Sequence, residues 1–447
     1  MTPADIKLIL AALIGIGLSI VLIVRGRLHP FVSLLCGAFV VGLLAGLPMA
    51  ETAQAVQKGA GDVLGGTGLV VALGLSLGAM LQLSGGAASL AAAGLRLSGP
   101  KGAPWASMAV ALLVGLPLFF ETGLVLLLPI VAAAATGIRD RSPTEARLRL
   151  MLPALAGLSV VHALVPPHPG PLLAVDALHA NLGLTIVYGV IIGIPTAIIA
   201  GPIFAMFASR WVKVSTPVID MDRPLVTAPS NARTLAAILL PVVLIAAGQI
   251  HAVLPPSIAP RIAFLGIASN PILALLIANL AALPLLFGWR MREADVQGPI
   301  WLEAMKAAGA IILAIGAGGS LKQVLVTAGL AEFLARVASE GHVPAVLMAW
   351  LIAVCVRLAT GSATVATITT AGIMPAVVAA TGARPELVVL ATGAGSLFFS
   401  HVNDPGFWLV RSYLGTSTPD TFRTWSILET IVAVVGLLFV LLASAIL

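Results

Sequence analysis

The chain has 447 residues, 59% of them hydrophobic and 9% charged. A soluble globular protein carries about 25% charged residues, so this surface cannot be clothed for water and most of it must face lipid. The formal charge of +6 sits in short loops between apolar runs, which makes it a topology signal and excludes a nucleic-acid footprint.

In chain order, runs of about 20 mostly apolar residues, the length a membrane span needs, predict helices over 6–24, 30–47, 69–95, 151–165, 184–208, 235–254, 262–287, 308–335, 387–402 and 425–447. The first run is too long for the apolar core of a signal peptide and is read as a span. Two further apolar regions, 104–136 and 343–381, are interrupted near their middles. The interruptions read Gly115-Leu-Pro-Leu-Phe-Phe-Glu-Thr-Gly123 and Arg357-Leu-Ala-Thr-Gly-Ser-Ala-Thr364. Each predicts two half-helices meeting at an irregular tip, which is tolerated at membrane depth only where protein or a water-filled cavity surrounds it. Cys36 and Cys355 both lie inside apolar runs, so neither a disulfide framework nor a thiolate zinc site is expected, and no cofactor or metal is implied.

Arg25, Arg27, Arg96, Lys101, Arg139, Arg141, Arg147, Arg149, Arg210, Lys213, Arg223, Arg233, Arg290 and Arg292 fall into five loops. All five are cytoplasmic if the N-terminus is outside and 104–136 is a re-entrant hairpin. The chain also resembles itself. Leu77–Gly85 can be laid on Leu321–Gly329, the Pro-Ile-Val-Ala-Ala-Ala-Ala-Thr-Gly137 stretch on Pro-Ala-Val-Val-Ala-Ala-Thr-Gly382, and Pro169-Gly170 on Pro405-Gly406. Three matches in one order at nearly one offset argue for a duplication whose halves run in opposite senses. Inverted repeats with discontinuous helices belong to secondary transporters. The expected architecture is an all-α polytopic membrane protein of two inverted repeats, 1–208 and 234–447, each carrying one broken or re-entrant hairpin. Residues 209–233 form the cytoplasmic linker.

Intramembrane polar groups are costly and are functional candidates by default. Glu121 is flanked by Phe119 and Phe120 on one side and Thr122 on the other, with no basic neighbour. It is read as a proton carrier, or alternatively as a cap for the next half-helix, whose first N–H groups need an acceptor; that N-terminus, near Thr122, is also expected to help hold a substrate carboxylate. In Pro166-Pro-His-Pro-Gly-Pro171 the prolines are expected to forbid a regular helix and to hold His168 on extended backbone, where it is read as a substrate- or proton-binding residue. Gly361, Ser362 and Thr364 should open a half-helix whose N-terminus favours an anion, and Arg357 adds a fork that can grip a carboxylate. His401, Asn403 and Asp404 end an apolar run before a Pro-Gly break and can donate and accept, as a polyol requires. Lys322, beside Gly318-Gly-Ser320, either pairs with a buried acid or snorkels to the interface.

At these residues the chain resembles the GntP family of gluconate permeases. The matching stretches are Phe119-Phe-Glu, Pro166-Pro-His-Pro-Gly-Pro171, Gly316-Ala-Gly-Gly-Ser-Leu-Lys-Gln-Val-Leu325, Gly361-Ser-Ala-Thr-Val-Ala366 and Ser400-His-Val-Asn-Asp-Pro-Gly-Phe-Trp408. They run in family order across most of the chain. The resemblance implies proton symport of gluconate or a related sugar acid through the bacterial inner membrane. It also implies the fold of the wider ion-transporter group, with hairpin domains, elevator-like motion and in many members a homodimer. Residues 172–181, with Asp176 and His179, depart from the family pattern and put the substrate in doubt, so D-glycerate or D-serine carriers stand as alternatives. An enzyme is not expected: no His-Glu-x-x-His ligand set is present. A passive channel would show conductance without concentrative uptake.

Overall fold

The structure, a computed structural model, describes residues 3–118, 120–135, 142–212, 227–253, 267, 270–340, 343–401 and 404–447. Residues 213–226 of the expected linker, and Phe119 and Asn403 among the residues singled out above, lie outside these. The described residues form helices throughout. Five of those helices are long and apolar enough to cross a membrane, seven if each of two sharply bent pairs counts as one span.

The Pro143–Leu164 helix forms the centre of the bundle. Ser142 caps it by accepting the Glu145 N–H at 3.2 Å, and Pro143 follows at the first helical position, where its missing N–H costs nothing. Its sequence is apolar nearly all round, the pattern of a helix buried on every side. Of the most apolar window in Pro143–Ala177, 89% is buried, against 24% in the peripheral Pro3–Ile23 span. Neighbouring helices close on it at small residues, as membrane helices do. A Cβ on Gly157 would meet the Met108 carbonyl oxygen at 2.8 Å, and one on Gly393 would meet that of Ala163 at 2.0 Å.

Both expected interruptions are real. In the first hairpin, the helical stretch Gly86–Gly115, kinked at Gly99 (φ 63°), ends at Leu116–Leu118 and the Phe120–Ala135 helix begins; the two pack on each other and on Pro143–Leu164. In the second, Ala345–Thr360 ends at Gly361, held at φ 69°, and Ala363–Ile373 folds back against it. That left-handed backbone is the reason for glycine there.

Three expectations need correction. The run 69–95 is not one helix: Leu69–Leu83 and Gly86–Gly115 meet at 64°, because Gly85 takes φ 70° and the Ser84 hydroxyl caps the Gly86 N–H at 3.2 Å. The run 308–335 belongs to a longer helix, Ala294–Thr327, followed by Leu330–Glu340. Finally, the proline cluster does not exclude a helix up to Pro171. The Pro169–Ala177 helix starts inside it with His168 as N-cap. Pro169 and Pro171 fall in the first turn, whose N–H groups have no intrahelical acceptors anyway.

Candidate functional site

A cavity of about 420 Å³ opens where the two hairpin tips meet the Pro143–Leu164 helix and the segment from Leu397 to Glu429. Its polar lining is Glu121, Ser159, His162, Arg357, Ser362, Thr364, Asp404 and Glu429, with Phe120 and Trp425 as an aromatic wall. Those two rings stack at 5.2 Å.

Three helices point their N-termini at this space. Phe120 and Glu121 begin Phe120–Ala135, Ala363 and Thr364 begin Ala363–Ile373, and Gly406 lies in the first turn of Pro405–Leu414. The first N–H groups of a helix lack internal acceptors and carry the positive end of its dipole. Two of these starts are capped. Ser362 Oγ accepts the Val365 N–H at 3.3 Å, and Asp404 Oδ1 accepts the Gly406 N–H at 2.7 Å.

Arg357 ties the second hairpin to the last of these helices. Its guanidinium donates to Asp404 Oδ2 at 2.5 Å and to the Gly361 carbonyl at 2.6 Å, and both charged side chains are largely buried. The Ser400 hydroxyl also bonds Asp404 Oδ2, the Trp425 indole N–H donates to Ser400 Oγ at 2.8 Å, and Ser426 Oγ donates to the Ser400 carbonyl. A buried ion pair survives desolvation only with such further hydrogen bonds. The network therefore fixes Arg357 against the cavity wall while its Nε keeps no hydrogen-bond partner among the described residues. Glu121, by contrast, is exposed, and it lines the cavity.

Not every residue singled out in the sequence reaches the cavity. Gly361, Ser362, Thr364, Arg357, Asp404 and Glu121 line it. His168 is buried elsewhere, with Nε2 2.7 Å from the Gly115 carbonyl at the end of the first half-helix. His401 Nε2 lies 3.1 Å from the Leu358 carbonyl. Thr122 lines a separate small pocket with Gln82 and Glu303. Lys322 is half-buried, its acidic neighbours are Asp176 and Asp62, and its stem runs where a Cβ on Gly372 would sit.

Ser159, His162, Trp425 and Glu429 were missed as site residues. A signal for two of them existed: His162 is the one ionisable side chain of 151–165, and Glu429 that of 425–447. Chemically, the cavity combines a fixed guanidinium and helix N-termini for an anion, hydroxyls and an imidazole for a polyol, and two carboxyls able to exchange protons.

Residues 7–446 match the family described as GntP family permease. The chain is 43% identical to a gluconate permease of Pseudomonas aeruginosa, over 99% of both chains. It is 38% identical to a high-affinity gluconate transporter of Escherichia coli, over 96% of this chain and 98% of that one. It is also 36% identical to the Gnt-II system L-idonate transporter of the same organism, over 97% and 98%. Among solved structures it is similar to the Alcanivorax borkumensis YdaH transporter, with a TM-score of 0.64 and 16% identity, over 93% of this chain and 97% of that one; this likeness speaks to the fold. A match over nearly the whole chain makes this multi-pass membrane protein a member of the GntP permease family.

Proposed function

We propose that this permease imports gluconate, or a closely related sugar acid, by symport with protons. The observation that carries the reading is the convergence of Arg357 and three helix N-termini on one cavity lined by hydroxyls. A sugar acid presents one carboxylate and several hydroxyls, the two features this lining complements. In this reading Arg357 and the N–H groups of Ala363 and Thr364 receive the carboxylate. Ser362, Thr364, Ser159 and His162 read the hydroxyls. Asp404 acts through Arg357, which it holds in place. Glu121 exchanges the coupled proton because it lies open to the cavity. Relatives named for gluconate and L-idonate support the sugar-acid class.

The cavity also reaches Ile23 and Pro30, which bracket the basic residues Arg25 and Arg27. If basic loops are cytoplasmic, this conformation faces inward. The inverted-repeat organisation, 1–208 against 234–447, is part of the same proposal. Its support is one broken hairpin in each half and the matched stretches of sequence.

Uptake of labelled gluconate into proteoliposomes under an imposed pH gradient tests the reading. Concentrative uptake that collapses with the gradient is expected, together with competition by other sugar acids. Uptake indifferent to the gradient would remove proton coupling, and no uptake of any sugar acid would remove the substrate class.

A further inference from the structure

The cavity holds a second acid that the reading above leaves idle. Glu429 lies in the first turn of Ile427–Ile446, 1% exposed, with Ser159 on the central helix as the hydroxyl beside it. A π-helical turn, Phe422–Ser426, precedes it and carries Trp425 into the same wall. Such local widening of a helix recurs at functional sites. The charged groups facing Glu429 are Arg357 and Asp404, with Glu121 and His162 on the same lining.

Counting charges shows why two acids matter. With histidine taken as neutral, the lining has one guanidinium against three carboxyls. Arg357 neutralises Asp404. Neither Glu121 nor Glu429 stands in an ion pair among the described residues. An anion entering beside two ionised carboxylates meets like-charge repulsion. Protonating both acids removes it, whereas protonating one leaves a like charge in the cavity.

We infer that Glu429 is a second proton-binding group of the transport site, so that two protons, one on Glu121 and one on Glu429, accompany each sugar-acid monoanion. The inference rests on the proton-symport reading. Each proton binds a carboxylate oxygen on one side and leaves it on the other, with no other bond made or broken. One net positive charge crosses per cycle, so uptake is electrogenic.

The balance point of transport tests this in proteoliposomes with the membrane potential clamped at zero. One pH unit then holds about a tenfold gluconate ratio with one proton and about a hundredfold ratio with two. The wild type is expected at the hundredfold ratio, with uptake accelerated by an inside-negative potential. Glu429→Gln is expected at the tenfold ratio and insensitive to potential, while Glu429→Asp returns to the hundredfold ratio. A wild type that balances at the tenfold ratio overturns the second site while leaving symport intact, and it does so even if the variants do not fold. A Glu429→Gln protein still balancing at the hundredfold ratio overturns it as well. A merely structural Glu429 would alter the rate of uptake without moving the balance point.

Discussion

The two hairpins do the same geometric job with different chemistry. Each brings a half-helix N-terminus to the cavity. At the tip of the first, a hydrogen bond ties His168 to the Gly115 carbonyl, and an acid, Glu121, lies open to the space. The second is tethered by a buried ion pair, Arg357 to Asp404, backed by Ser400, Trp425 and Gly406. The difference teaches where each kind of charge can live. A cation that must hold an anion is immobilised by a network, because a buried charge is tolerated only when paired and hydrogen-bonded. Glu121, which we propose to gain and lose a proton, is left open to the cavity.

Removing the cation should have the largest effect. Arg357→Ala strands Asp404 without its partner, and breaking a buried pair costs about 3–5 kcal/mol. Gluconate uptake is expected to vanish and the melting temperature of the purified protein to fall. Arg357→Lys should restore stability better than uptake, since an ammonium is a point charge without the planar fork. A lysine variant transporting at the wild-type rate would show that the fork is not what holds the carboxylate.

Neutralising the acid should leave the fold intact and change the coupling. Glu121→Gln is expected to keep exchange of labelled for unlabelled gluconate while accumulation across one pH unit falls to the about tenfold ratio that Glu429 alone would couple. Accumulation that survives unchanged would take Glu121 out of the proton path.

Cutting the first tether should be milder than cutting the second. His168→Phe leaves the Gly115 carbonyl without that hydrogen bond, at a cost of about 1–3 kcal/mol. Slower uptake is expected, with the ranking of competing sugar acids preserved. A changed ranking would mean that His168 touches substrate in another conformation. The Ser362→Ala variant removes a helix cap worth about 1 kcal/mol, seen as a modest drop in melting temperature and weaker gluconate binding. Smallest of all, Thr122→Val lies off the cavity and should change stability and the free energy of binding by no more than about 0.5 kcal/mol. A large loss of uptake there would place the first hairpin's threonine in the substrate path.

Much of this was legible in the chain because the bilayer imposes a one-dimensional rule: apolar length makes a span, and interruptions stand out against it. The tips at Gly115–Gly123 and Arg357–Thr364 were visible for that reason. Arg357 and Glu121 were also marked, as charges where none should be cheap. The bend at Ser84–Gly85 was passed over although Ser84-Gly85-Gly86 is a turn signal, because glycines in an apolar run are ordinary until their φ is known. His162 and Glu429 sat in smooth spans, marked only as the one ionisable group of each. Their importance is a matter of which side of a helix faces the cavity.

Composition and the pattern of interruptions thus determined, without coordinates, a polytopic helical membrane protein with two broken hairpins, and the motifs on them pointed to its family. Only the tertiary structure decided which polar residues meet. Arg357 and Asp404 are 47 positions apart, and their pairing depends on the tertiary packing that brings the end of Ala345–Thr360 to the cap of the Pro405–Leu414 helix. Other long-range contacts turn His168 toward the Gly115 carbonyl and Glu429 toward the cavity. Sequence spacing along a helix specifies a face, but the direction that face looks is set by its neighbours, and those are long-range contacts that no local pattern records.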